Sequence, residues 1–224
     1  MKKPDWEWYA TGPVHAIQLT RGKHAGRLVV PCDHGTARKA ARGSHLIYSD
    51  DHGATWKLGA TDTHAIADPV HPDECVATEL TDGRIYINSR DEKGSDPATR
   101  LVAYSSDGGE SFDAPFRGEA SIASPVVQNS VLRFAAKDQH DPADLLLYSG
   151  PSDPTKRRDL TIRTSRDESK TWQVDSMVHA GPAAYSDLVK LSKEEFGVLY
   201  EAGDKLYGEI IFAIVKLKDL GTAP

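Results

Sequence analysis

Two cysteines in 224 residues, Cys32 and Cys75, are too few for a disulfide framework, so packing alone has to hold this chain together. No apolar run approaches the length of about 20 residues that a membrane-spanning helix needs. The amino terminus, Met1-Lys2-Lys3, starts basic but has no apolar segment behind it to make a secretory signal. As written, the chain is therefore expected to be cytoplasmic, and secreted or periplasmic if a segment lies upstream. Positive charge is not concentrated either. The 27 Lys and Arg are scattered among 33 Asp and Glu, giving a net charge of -6, which leaves no electrostatic footprint for nucleic acid. The nine histidines show neither His-x-His nor His-Glu-x-x-His spacing, and no Gly-x-Ser-x-Gly elbow occurs. The sequence thus gives no sign of a metal, an organic cofactor or a serine-hydrolase triad.

Short apolar or alternating runs bounded by Gly, Pro, Asp and Asn are what the chain does have. They fall at 15–20, 27–30, 45–49, 74–80, 84–90, 100–105, 131–136, 145–149, 160–165, 185–191, 196–201 and 209–217. No long stretch keeps a helical period, so the expected fold is all-β. Thr81-Asp82-Gly83-Arg84 reads as a tight hairpin with Asp-Gly in a primed turn. One turn recurs three times as S-x-D-x-G-x-[ST]-[WF]: Ser49 to Trp56, Ser105 to Phe112 and Ser165 to Trp172, with the first serines at nearly constant spacing. Its Asp can accept backbone N–H bonds across the loop, its Gly can take positive φ, and its aromatic residue starts the return strand. The third copy has Ser169 in place of Gly. Such a regular period in a strand-rich chain marks the four-stranded blades of a propeller.

These turns resemble the Asp boxes of sialidases, and the segments between them extend the resemblance over nearly the whole chain. Glu74-Cys75-Val76-Ala77-Thr78-Glu79-Leu80, followed by Asn88-Ser89-Arg90, resembles the family's stretch with a catalytic glutamate and a substrate-binding arginine. Arg157-Arg158-Asp159-Leu160-Thr161-Ile162-Arg163 resembles the segment of another such arginine, the match falling on Arg157. Tyr185-Ser186-Asp187-Leu188, with Gly197-Val198-Leu199-Tyr200-Glu201 after it, resembles the segment whose tyrosine is the nucleophile. The resemblance implies a propeller of the six-bladed sialidase type, of which this chain covers about four blades as one partial domain, 1–224. It also implies an exo-α-sialidase acting on sialylated glycans, with Tyr185 as nucleophile, Glu74 as its base, Arg90 and Arg157 as carboxylate anchors, and no cofactor. The chemistry is coherent. Sialic acid bears a carboxylate on its anomeric carbon, which calls for fixed guanidinium groups and disfavours a carboxylate nucleophile.

Two parts of the family's site have no match here, its first arginine and its general-acid aspartate. The expectation is therefore a C-terminal piece with weak or no activity alone. The alternative is a non-catalytic propeller segment that binds sialylated glycans or a protein. Some animal members place tyrosines where this chain has Cys32-Asp33-His34-Gly35, so contacts to the sugar's glycerol tail are expected to differ. Oligomeric state is not legible.

Overall fold

A computed structural model of the chain describes residues 1–94, 99–205 and 207–221, and divides it into two compact units, Met1–Ser95 with Arg100–Glu119 and Asp96–Thr99 with Ala120–Pro224. In the first unit, β1 (Trp6–Thr11), β3 (Leu28–Thr36), β4 (Ala41–Ser49) and β5 (Lys57–Ala65) form an antiparallel sheet in that order, and the short β2 (Ile17–Gln18) also pairs with β3. A second sheet follows in simple order: β6 (Pro72–Glu79), β7 (Ile85–Asp91), β8 (Thr99–Ser105) and β9 (Arg117–Ala123). In the second unit a continuous path runs through β10 (Ser130–Ala135), β11 (Leu145–Pro151), β12 (Arg158–Ser165), β13 (Gln173–Lys190), β14 (Glu195–Ala202) and β15 (Glu209–Lys216). β13 serves twice, pairing with β12 through its first half and with β14 through its second.

The repeated turn always stands between the third and fourth strands of a sheet, after β4, β8 and β12. The Ser49, Ser105 and Ser165 hydroxyls donate to Asp51, Asp107 and Asp167 at 2.8, 2.9 and 2.9 Å. Each Asp in turn accepts the backbone N–H and the hydroxyl of Thr55, Ser111 or Thr171. Antiparallel sheets of five, four and six strands, each with this turn between the third and fourth strands of its path, make the fold all-β and place it in the β-propeller class.

Each unit has its own apolar core. Val29, Leu46, Ile85, Ile87 and Leu101 lie in that of the first, Phe134, Leu147, Leu160, Ile162, Phe196 and Val198 in that of the second. Fully burying one such side chain stabilises by about 1.5–3 kcal/mol, which is why the central strands read as apolar runs. β1, β5, β9 and the first half of β13 carry no such run and are not marked in the sequence; they are mostly exposed or half-buried. One turn differs from expectation. Leu80 N–H donates to Arg84 O and only Gly83 (φ +85°), not Asp82, has positive φ, so the loop has three residues with Gly in the left-handed place.

Candidate active site

Glu74 owes its position to an irregularity in β6. Pro72 pairs with Asp91 and Cys75 with Ser89, so Asp73 and Glu74 together face the single residue Arg90. Such a one-residue bulge bends the strand and re-aims its side chains. The bulge is pinned from behind, where the Ser44 hydroxyl donates to Asp73 O at 2.6 Å and Asp73 N–H donates to Ser89 Oγ at 3.0 Å. In front, Arg90 Nη1 donates to Glu74 Oε2 at 2.8 Å, and its Nη2 meets Glu92 Oε2. Arg42, from β4, donates to Asp73 Oδ2 at 2.6 Å and lies 3.7 Å from Glu92 Oε1.

These groups line a cavity of about 610 Å³ in the first unit, which Trp8 and Asp33 also face. The Trp8 indole Nε1 donates to Asp33 Oδ2 at 2.5 Å. Burial, then the neighbouring Asp73, pushes the Asp33 carboxyl up to about 7, against the pull of the indole donor. Cys32 and Cys75 are buried, free and inert, with burial pushing both thiols up.

The second unit repeats the device. Ala183 pairs with Ala202 and Ser186 with Tyr200, so a bulge at Ala184 and Tyr185 faces Glu201, whose Oε2 accepts the Tyr185 backbone N–H at 3.1 Å. Arg157, in the loop ahead of β12, sets its guanidinium 5.6 Å from the centre of the Tyr185 ring. It donates to Val126 O through Nε and Nη2 at 3.1 and 2.8 Å, and to the Tyr207 hydroxyl through Nη1 at 2.5 Å. Arg157, Arg158 and Pro182 border a cavity of about 250 Å³.

Of the four residues singled out in the sequence, the structure brings Glu74 together with Arg90 and Tyr185 together with Arg157. The pairing of Arg90 with Glu92, two residues on, is one the sequence offers as an alternative to a binding role for that arginine, whereas Arg42, Trp8 and Tyr207 were missed, because nothing in their local sequence marks them and their contacts come from tertiary pairing. Among the described residues, no group of three or more His, Cys, Asp or Glu is placed to hold a metal ion.

The chain is of the β-propeller class, and its bulged strands present a glutamate and a tyrosine, each beside an arginine. Residues 2–198 match the family model described as a BNR repeat-like domain, and the chain belongs to that family. It is similar to a sialidase of Micromonospora viridifaciens, 36% identical over 202 residues, covering 89% of this chain and 30% of that protein. It is 30% identical over 236 residues to Sialidase-2 of Mus musculus, covering 96% of this chain and 57% of the relative. Among solved structures, the Hadza microbial sialidase Hz136 superposes with a TM-score of 0.80 at 25% identity, covering 98% of this chain and 40% of the other. The chain thus spans 30% to 57% of the length of these relatives.

Proposed function

We propose that this chain supplies the nucleophile, its base and two carboxylate anchors of a retaining exo-α-sialidase that releases terminal sialic acid from glycoconjugates. Residues 1–224 then belong to one partial propeller domain. Tyr185 Oη attacks the anomeric carbon while Glu74 takes the phenolic proton, which a free phenol releases only near pH 10. The bond to the aglycone breaks, and the departing oxygen takes a proton from water. Water then cleaves the tyrosyl intermediate, so that two inversions restore the starting configuration. Arg90 and Arg157 hold the substrate carboxylate by forked hydrogen bonds.

The observation that carries this reading is the matched pair of bulges. Glu74 and Tyr185 sit at equivalent irregularities of β6 and β13, facing Arg90 and Glu201 respectively, with the same separation along the chain in both pairs. The relatives' names point the same way. These 224 residues have no counterpart of the family's general acid, so their turnover is expected to lie roughly 10²- to 10⁴-fold below that of a site that has one.

A fluorinated sialyl donor, which stalls breakdown of the intermediate, tests the assignment. Mass spectrometry of the labelled protein is expected to find the sugar on the peptide containing Tyr185, with no label in Tyr185→Phe and labelling at least about 10²-fold slower in Glu74→Gln. Label on another residue, or undiminished label in Tyr185→Phe, refutes it.

A further inference from the structure

Glu92 stands just past the end of β7, anchored by its N–H donating to His71 O at 2.9 Å. Its two carboxylate oxygens meet different guanidinium groups: Oε2 meets Arg90 Nη2, and Oε1 lies 3.7 Å from Arg42 Nη2. One carboxylate spanning two arginines on a cavity wall is the arrangement a bound carboxylate ligand would adopt. The arginines come from different sheets, Arg42 from β4 and Arg90 from β7, yet both are tied to the same bulge, through Asp73 and Glu74. Their spacing is therefore fixed by the fold and not by Glu92.

Charge sets a condition on such a ligand. The cavity is lined by five acids, Glu7, Asp33, Asp73, Glu74 and Glu92, and by only two arginines. Asp73 and Glu74 are engaged by the arginines from within the bulge, whereas Glu92 lies on a turn and is partly exposed. An anionic ligand entering such an acidic wall has to displace a like charge, and Glu92 is the group best placed to swing away.

We propose that Arg42 and Arg90 form a two-guanidinium clamp for a ligand carboxylate, and that Glu92 is its internal occupant, displaced when the ligand binds. The role of Arg90 rests on the sialidase reading above, to which Arg42 adds a further guanidinium beside Arg90 without replacing Arg157. Arg42 as its partner and Glu92 as the competing carboxylate do not depend on which carboxylated sugar is bound.

Calorimetric titration of the full chain with N-acetylneuraminate and with D-glucuronate tests the clamp. Releasing a partly exposed ion pair from competition is worth about fivefold in Kd. Glu92→Gln is thus expected to tighten both ligands about fivefold, Arg42→Gln to weaken both by a similar factor, and Arg42→Lys to fall between wild type and Arg42→Gln. The methyl ester of N-acetylneuraminate, which lacks the charge, is expected to be insensitive to Glu92→Gln; equal tightening of the ester points to a merely structural change and overturns the clamp. Glu92→Ala, checked for native circular dichroism, guards against a folding artefact. An unchanged Kd in Glu92→Gln and Glu92→Ala overturns the proposal, as does an unchanged Kd in Arg42→Gln or the absence of any binding in Glu92→Gln. Equal affinity for the two sugars counts against the sialidase reading but leaves the clamp standing if both still respond to Glu92→Gln.

Discussion

Ser169 takes a φ of +67° at the place where Gly53 and Gly109 take +88° and +91° in the other two repeated turns. The third turn keeps its hydrogen bonds in spite of a side chain in the left-handed region, where an L-residue is strained by roughly 1–2 kcal/mol. Ser169→Gly is therefore expected to gain up to about 1 kcal/mol, part of the relief being offset by a more flexible unfolded chain. Gly109→Ser is expected to lose about 1–2 kcal/mol, because its Cβ would also sit 3.3 Å from Leu46 Cδ1. Urea titrations of the two variants decide both signs. In the first turn, hydrogen bonds from the Thr55 hydroxyl and N–H and from Ser49 bring the Asp51 carboxyl down to about 2. A carboxyl lowered on folding stabilises above its unfolded pKa of about 3.9, and that contribution is lost as pH falls toward 2. Thermal melts of Asp51→Asn are expected to show a shallower loss of Tm over that window than wild type. These turns were readable in the sequence because their bonds stay within the turn itself. Arg42 could not be read the same way, since its partners Asp73 and Glu92 belong to a different sheet and the turn beyond it.

At the scale of elements, legibility followed burial. The strands of the apolar cores were marked by their sequence, whereas β5, β9 and the first half of β13 are held mainly by backbone pairing to a buried neighbour and need no apolar pattern. β15 carries the opposite signal. Its alternation is strong, yet Ile210, Phe212 and Ile214 are 77%, 51% and 61% exposed. The register sets Phe212 beside Leu199, and Ile214 beside Gly197 and then Val189, so these side chains share one face of the sheet. Among the described residues β15 pairs with β14 alone, which leaves an apolar, open-edged strand of the kind that associates with other chains. Phe212→Lys is expected to lower concentration-dependent light scattering while changing stability by less than about 0.5 kcal/mol, as exposed substitutions do. Unchanged scattering would show that this face is not where the chain associates.

For the molecule as a whole, pH acts through opposed buried groups in the first unit. His34 and His45 share an Nδ1 contact of 3.1 Å beneath Trp6, and burial holds both imidazoles well below their usual 6.5. Lowered on folding, they contribute stability in full above about pH 6.5 and lose it as pH falls. Asp33, raised to about 7, acts in reverse and favours the fold where it keeps its proton. Near pH 5 the unfolded chain binds two protons that the folded histidines lack, and the folded chain one that the unfolded Asp33 lacks. The net difference of one proton makes stability rise by about 1.4 kcal/mol per pH unit, and Asp33→Asn is expected to double that slope. Hydrogen exchange in β3 and β4 between pH 4.5 and 6 measures it. The propeller class was legible because its repeat is local, and so were the residues of the matched bulges, through family resemblance. The groups around them were not, because a cavity wall is assembled by register between strands. β13 makes that dependence acute. This one strand answers to two partners at once, and where its pairing with β14 is regular, from Ser186 to Lys190, deleting or adding one residue would turn every side chain beyond that point to the opposite face. Length variation is thus barred from the second half of this strand, whereas the exposed tip at 154–156 of the preceding bend is free to grow or shrink.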